Sequence, residues 1–216
     1  HVFRNAGPAL VVVGMLGLFG LLGSVAAVAA DWPDWRGPMQ DRQYDGPPLV
    51  TSFDPESGEN VAWTHDEGGI STPVVMGGRL YMLVRHEPET VAEAEKVICL
   101  DARTGEKLWE NLFNVYLSDV PGERVGWSAV VADPTTNTIF AQGVCGVFTA
   151  IDAATGKTKW QRSLHEEFGF LSTYGGRTNV PVVFEDLVIT SAVVTGWGDT
   201  ARPAHRFLGM DKATGA

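Results

Sequence analysis

The sequence predicts an all-β chain: a partial β-propeller of four-stranded antiparallel blades, with about three blades present. Three observations predict it. A short phrase recurs as DARTGEKLW (Asp101 to Trp109), DAATGKTKW (Asp152 to Trp160) and DKATGA (Asp211 to Ala216). A second phrase keeps step upstream of each: STPVV from Ser71, WSAVV from Trp127 and TNVPVV from Thr178. The first phrase repeats at 51 and then 59 positions. A weaker copy, DPESGENVAW, starts at Asp54, 47 positions before Asp101, with Trp63 one residue late. Self-similarity near fifty residues is the mark of a propeller blade or solenoid unit.

Each period reads as four short strands of β-branched and aromatic residues, punctuated by Gly and Asp. The first gives PVV, RLYMLV, KVICLD and KLWENL. The second gives AVVAD, TIFAQGV, FTAID and KTKWQRSL. The third gives PVVFED, LVITSAVV and RFLGMD, then the turn, so the last blade is expected to lack its outer strand. One helical-period stretch, PETVAEAEKV, falls where a loop insertion belongs.

The D-x-x-T-G chemistry is conformational. The carboxylates of Asp101, Asp152 and Asp211 are expected to accept backbone N–H groups two or three residues on. Thr104, Thr155 and Thr214 can do the same through their hydroxyls. Gly105, Gly156 and Gly215 supply the positive φ that returns the chain. Trp109 and Trp160 then stand on the outgoing strand as wedges between blades, where an indole buries area on both neighbours.

The 216 residues are 44% hydrophobic and 19% charged, with 25 Gly and 7 Trp, which suits a globular chain rich in tight turns. Residues 1–30 stand apart. Arg4 precedes a long uncharged apolar run that ends in SVAAVAA. A basic start, an apolar middle and an A-x-A end read as a secretory signal peptide. The run is also long enough for an N-terminal membrane anchor. Either way residues 31–216, the partial propeller, are expected to be exported: periplasmic or secreted, or held at the membrane by that segment. Without residues 1–30 the balance is 15 basic to 26 acidic residues. That disfavours nucleic acid or an anionic membrane as partner. Cys99 and Cys145 occupy different places in their repeats and are expected to be buried thiols rather than a disulfide.

AIDAATGKTKW (Ala150 to Trp160) matches in full the A-x-D-x-x-T-G-x-x-x-W tryptophan-docking motif, and CLDARTGEKLW departs only at Cys99. On these residues the chain resembles the pyrroloquinoline quinone (PQQ)-like β-propeller repeat family. The start DWPDWRGP (Asp31 to Pro38) is similar to the W-P-x-[FW]-R-G-P opening of exported bacterial members. The resemblance implies seven or eight blades, hence about 350 to 400 residues at about fifty each, so the chain is expected to be the N-terminal part of a longer propeller. It implies three functions: a non-catalytic binding or scaffold module of the cell envelope, a quinoprotein alcohol dehydrogenase, or the propeller subunit of the outer-membrane assembly machine. The dehydrogenases of the family carry a vicinal Cys pair, an Asp base and calcium ligands. No Cys-Cys pair and no calcium loop of the D-x-[DN]-x-[DN] type occurs here. The scaffold reading is therefore preferred, with no cofactor expected and PQQ with calcium belonging to the dehydrogenase alternative. The assembly subunits are lipoproteins, and no Cys ends the apolar segment.

The binding surface is expected where the innermost strands begin. PVV opens each blade, so residues just before it rim the central channel: Ser71 and Thr72, Trp127 and Ser128, Thr178 and Asn179, with Tyr174 and Arg177 near in sequence. Hydroxyls, an amide and an aromatic suit hydrogen bonding and stacking against a protein, a saccharide or another small ligand. The same groups equally suit backbone satisfaction at strand starts. His165-Glu166-Glu167 reads as solvated loop rather than a metal site. Trp32 and Trp35 are expected to pack beneath the propeller, with Arg36 paired to an acid.

Overall fold

The computed structural model describes residues 31–115, 122–170, 180–194 and 204–216. Three antiparallel sheets follow one another along the chain. Blade one is β1 (Val74–Met76), β2 (Arg79–His86), β3 (Ala94–Asp101) and β4 (Lys107–Asn114), hydrogen-bonded in that order. Blade two repeats this as β5 (Val131–Asp133), β6 (Thr138–Gln142), β7 (Val147–Asp152) and β8 (Thr158–Ser163). Blade three has three strands, β9 (Val182–Phe184), β10 (Leu187–Val194) and β11 (Ala204–Asp211). The inner strands meet in sequence, β1 against β5 and β5 against β9, which sets them nearest the axis.

Alternation along each strand explains how blades stack. Val130, Ala132, Ile139, Ala141 and Ile151 of blade two join Val74, Tyr81, Leu83, Val97 and Cys99 of blade one in one core. The opposite face of blade two, with Val131, Phe140, Phe148 and Ala150, joins Val188, Ala192 and Met210 of blade three. Side chains one residue apart on a strand point to opposite faces, so a blade buried on both sides reads as a nearly continuous apolar run. Both complete blades carry the same irregularity between the third and fourth strands, at Cys99/Leu100 and Ala150/Ile151. That shared bulge sets Trp109 opposite Cys99 and Trp160 opposite Ala150.

The turn phrase behaves as its chemistry dictates. Asp101 Oδ1 accepts the N–H groups of Arg103 and Thr104, each at 2.9 Å, and the Thr104 hydroxyl at 3.1 Å. Asp211 repeats the set with Ala213 and Thr214. Asp152 accepts the N–H and hydroxyl of Thr155. Gly105, Gly156 and Gly215 have φ of +72°, +74° and +77°. The Asp54 copy is complete in three dimensions: Asp54 N donates to Glu59 O at 2.9 Å, as Asp101 N does to Glu106 O at 2.8 Å.

Two details differ from the strand-and-loop reading. PETVAEAEKV is no insertion of helix: Ala94 to Val97 belong to β3, where they are buried. His165-Glu166-Glu167 lies in a five-residue helix, α1 (Leu164–Phe168), rather than a loop. Ser163 caps its start by accepting from Glu166 N, and Gly169 at φ +66° closes its end. Glu167 pairs with Arg162. Cys99 and Cys145 are buried thiols with no disulfide between them. Among the described residues no helix is long and apolar enough to cross a membrane.

Candidate functional site

The wedges come first, because they decide which polar groups are spent on architecture. The Trp109 indole N–H donates to Ala153 O and that of Trp160 to Lys212 O, both at 3.1 Å. Trp63 does the same to Ala102 O at 3.1 Å, one blade earlier. Each indole lies over the glycine of the next blade's turn. A Cβ on Gly105, Gly156 or Gly215 would come within 2.6, 2.7 or 2.8 Å of the Trp63, Trp109 or Trp160 ring. Trp109 and Trp160 are half-buried. Further donors from blade one reach the blade-two turn. Arg79 donates to Ala153 O and Ala154 O, Tyr81 to Ala153 O, and Asn111 to Gly156 O. Two residues past its Trp, Arg162 makes the corresponding bond to Gly215 O. The repeated Asp, Thr and Trp residues are joints.

The strand registers place the starts of β1 and β5 at the end of the blades opposite those joints. Ser71 is buried there and its hydroxyl donates to Leu83 O at 2.6 Å, so it satisfies backbone within its own blade. Thr72 is exposed, Trp127 half-buried and Ser128 buried. Tyr174, Arg177, Thr178 and Asn179 lie outside the described residues. The expected rim residues among the described ones are thus Ser71, Thr72, Trp127 and Ser128, of which Thr72 is exposed and Trp127 half-exposed.

The loop that carries Trp127 is held from below by a residue that sequence reasoning missed. Glu95, on β3, is fully buried. Its Oε1 accepts Gly126 N and its Oε2 accepts Val144 N, each at 2.8 Å. Both donors belong to blade two. Burial pushes the Glu95 carboxyl up to about 7, against the two N–H bonds that favour the charged form. The loop approaches closely: Gly126 has φ +73°, and a Cβ there would sit 2.8 Å from Arg85 N. Val125 packs with Val144 and Cys145 in a small cluster. The available signal was an acid ahead of the apolar run VICL, at the offset where the next repeat has Gly146.

The N-terminal segment holds the opposite end of the inner strands. Trp32 and Val75 exchange two backbone bonds, Pro33 O accepts Ala132 N, and Asp31 Oδ1 accepts Gly77 N. Residues 31–33 thus stitch β1 to β5. Trp32 is half-buried, its ring against Gly37. Trp35, by contrast, is 41% exposed, with the guanidinium groups of Arg42 and Arg36 at 4.9 and 5.9 Å from its ring. Among the described residues Arg36 has no acid partner, which corrects the expected ion pair: its cation lies near Trp35 instead.

The two cysteines lie apart in the fold. Cys99 sits in the core beside Tyr81 and Trp109, while Cys145 lies with Val125 and Val144, so the two thiols belong to separate clusters. Among the described residues no three His, Cys, Asp or Glu side chains gather in a way that could hold a metal ion.

Comparison with known proteins agrees on the fold. A quinohemoprotein alcohol dehydrogenase from Comamonas testosteroni superposes with a TM-score of 0.53 at 21% identity, over 89% of this chain and 27% of that one. BamB from Moraxella catarrhalis gives 0.45 at 15% identity, over 70% and 40%. A europium-containing methanol dehydrogenase gives 0.44 at 19%, over 69% and 24%. The chain spans about a quarter of the length of the dehydrogenases it matches. A search of curated proteins finds no match. Residues 93–216 match the family profile described as outer membrane protein assembly factor BamB, so the chain belongs to this PQQ-repeat β-propeller family.

Proposed function

We propose that the chain is part of an exported propeller that acts as a non-catalytic binding or scaffold module of the bacterial cell envelope. One observation carries the reading. The side chains that the repeats multiply are consumed in turns and inter-blade bonds, while the inner-strand starts leave Trp127 and Thr72 open to a partner. A half-buried indole suits a saccharide face or a peptide. The net acidic surface argues for such ligands over nucleic acid. The proposed site keeps Thr72, Trp127 and Ser128 from the rim, with Tyr174, Arg177, Thr178 and Asn179 as its continuation. The description of the matching family favours a second reading, a propeller subunit of outer-membrane protein assembly whose partner is a protein.

The test is a thermal-shift screen of saccharides, peptides and PQQ with calcium on the full-length protein, repeated on Trp127→Ala and Trp35→Ala. Stabilisation that Trp127→Ala abolishes and Trp35→Ala leaves intact supports the rim. The reverse pattern moves the site to the N-terminal segment. Stabilisation by PQQ with calcium, together with dye-linked alcohol oxidation, would make the protein a quinoprotein dehydrogenase and overturn the scaffold reading. Fractionation of cells expressing residues 1–216 with and without residues 1–30 tests export.

A further inference from the structure

We propose that Glu95 is the positioning residue of the Trp127 rim: its carboxylate clamps the loop before β5 onto blade one, and its protonation loosens that clamp. The inference rests on the rim reading above. The Glu95 side chain joins β3 to both the 122–128 loop and the 143–146 turn by accepting their backbone N–H groups. A charged carboxylate offers one good acceptor oxygen to each N–H. The neutral acid keeps one carbonyl oxygen, and its other oxygen becomes a hydroxyl, a donor and a poor acceptor. One of the two blade-two amides then loses its partner.

The surroundings focus the response on Glu95. From β2 the cross-strand partner is Arg85, which is engaged by Glu93 at 2.6 Å. From β4 the partner is Phe113, which carries no charge. The loop contributes Arg124 and the turn contributes Cys145. Neighbouring Lys96 is tied to Glu67 and Glu110, the latter on β4. Space is tight on the turn side: a Cβ at Gly143 would lie 2.4 Å from Glu95 Oε2 and 2.6 Å from the Phe113 ring. Only a glycine at 143 leaves room for the carboxyl on that side. Burial brings its titration to about 7, where modest pH changes alter its charge.

The experiment is a pH titration of the full chain in the absence of ligand. Trp127 emission is taken as the difference between wild type and Trp127→Phe, and the amide shifts of Gly126 and Val144 are followed by NMR. The wild type is expected to show one transition near pH 7 in all three signals. Glu95→Gln keeps the shape without the titration, and its signals are expected to stay flat. A transition that persists in Glu95→Gln, or a wild type with none, overturns the proposal. If Glu95→Gln does not fold, the wild-type amides decide: Gly126 and Val144 must titrate together, and failure of either overturns the assignment. No ligand is involved, so a rim that binds nothing defeats the proposed function and leaves this titration to judge Glu95.

Discussion

Replacing Gly156 by Ala tests the joint between blades one and two. Gly156 has φ +74°, a conformation that costs an L side chain about 1 kcal/mol. The new Cβ would also stand 2.7 Å from the Trp109 ring, so the indole must move or the blades must part. Moving it endangers the Trp109–Ala153 bond of 3.1 Å and the contact with Tyr81 at 5.7 Å, about 2 kcal/mol together. Gly156→Ala should therefore cost about 3 kcal/mol. Trp109→Ala alone should also cost about 3 kcal/mol, at the low end for such truncations because the indole is half-buried. No large desolvation penalty adds to it, since Ala153 O keeps Arg79 and Tyr81 as donors. Once Trp109 is gone, Gly156→Ala should cost only its backbone strain, about 1 kcal/mol. The two changes should thus couple by about 2 kcal/mol in a double-mutant cycle read by urea denaturation of the full chain. Additivity within about 0.5 kcal/mol would show that the indole does not press on this turn, and the wedge argument would fail.

Three further outcomes follow from the same chemistry. The Glu95 carboxyl is raised by burial from 4.5 to about 7, so the folded state binds more protons than the unfolded chain in that window. Stability should fall as pH rises through it, by on the order of 3 kcal/mol, and Glu95→Gln should remove the slope in denaturation midpoints. The turn carboxylates act with the opposite sign. Hydrogen bonds from Thr104, Thr155 and Thr214 hold Asp101, Asp152 and Asp211 below the usual carboxylate range. Their stabilisation is present above the ordinary value of 3.8 and is lost as pH falls below it, and the triple Asn variant should flatten that acid limb. Burial pushes the Cys99 thiol up to about 11, and Cys145 is equally buried, so neither should react with a disulfide reagent until denaturant is added. A thiol that reacts quickly in the native protein would contradict the packing.

The joints were legible because each is written in contiguous residues. Asp, Thr and Gly lie within five positions, and their partners are the turn's own backbone, so the phrase specifies its geometry locally. Trp63 shows the tolerance of that code: it stands one residue late, yet it docks on Ala102 as Trp109 docks on Ala153. The helix α1 was not legible, since five residues show no period, and its only signals were a Ser cap and a Gly stop. Nor was the path of residues 31–33 across β1 and β5, whose bonds, backbone to backbone apart from the Asp31 carboxylate on Gly77 N, join segments more than forty positions apart.

Ser71 and Glu95 show why the candidate site was the least legible part. Sequence periodicity located the inner-strand starts correctly, but it could not say which hydroxyls there were already occupied. Ser71 donates to a carbonyl twelve positions away across its own sheet, a partner set by register rather than by residue type. Glu95 accepts from Gly126 and Val144, 31 and 49 positions away, and neither donor involves a side chain. A repeat alignment marks Glu95 only as an acid where the next blade has Gly146. Its role is read from burial, because a fully buried carboxylate needs donors and the ones within reach belong to the loop under Trp127. The architecture is encoded in what the blades share, whereas the rim depends on where they differ. Trp127 has no aromatic counterpart at the start of blade one, where STPVV places Ser71 and Thr72, and Glu95 has no acidic counterpart in blade two. These two unrepeated residues meet through the 122–128 segment before β5, which is why the binding proposal and its pH control are tested there.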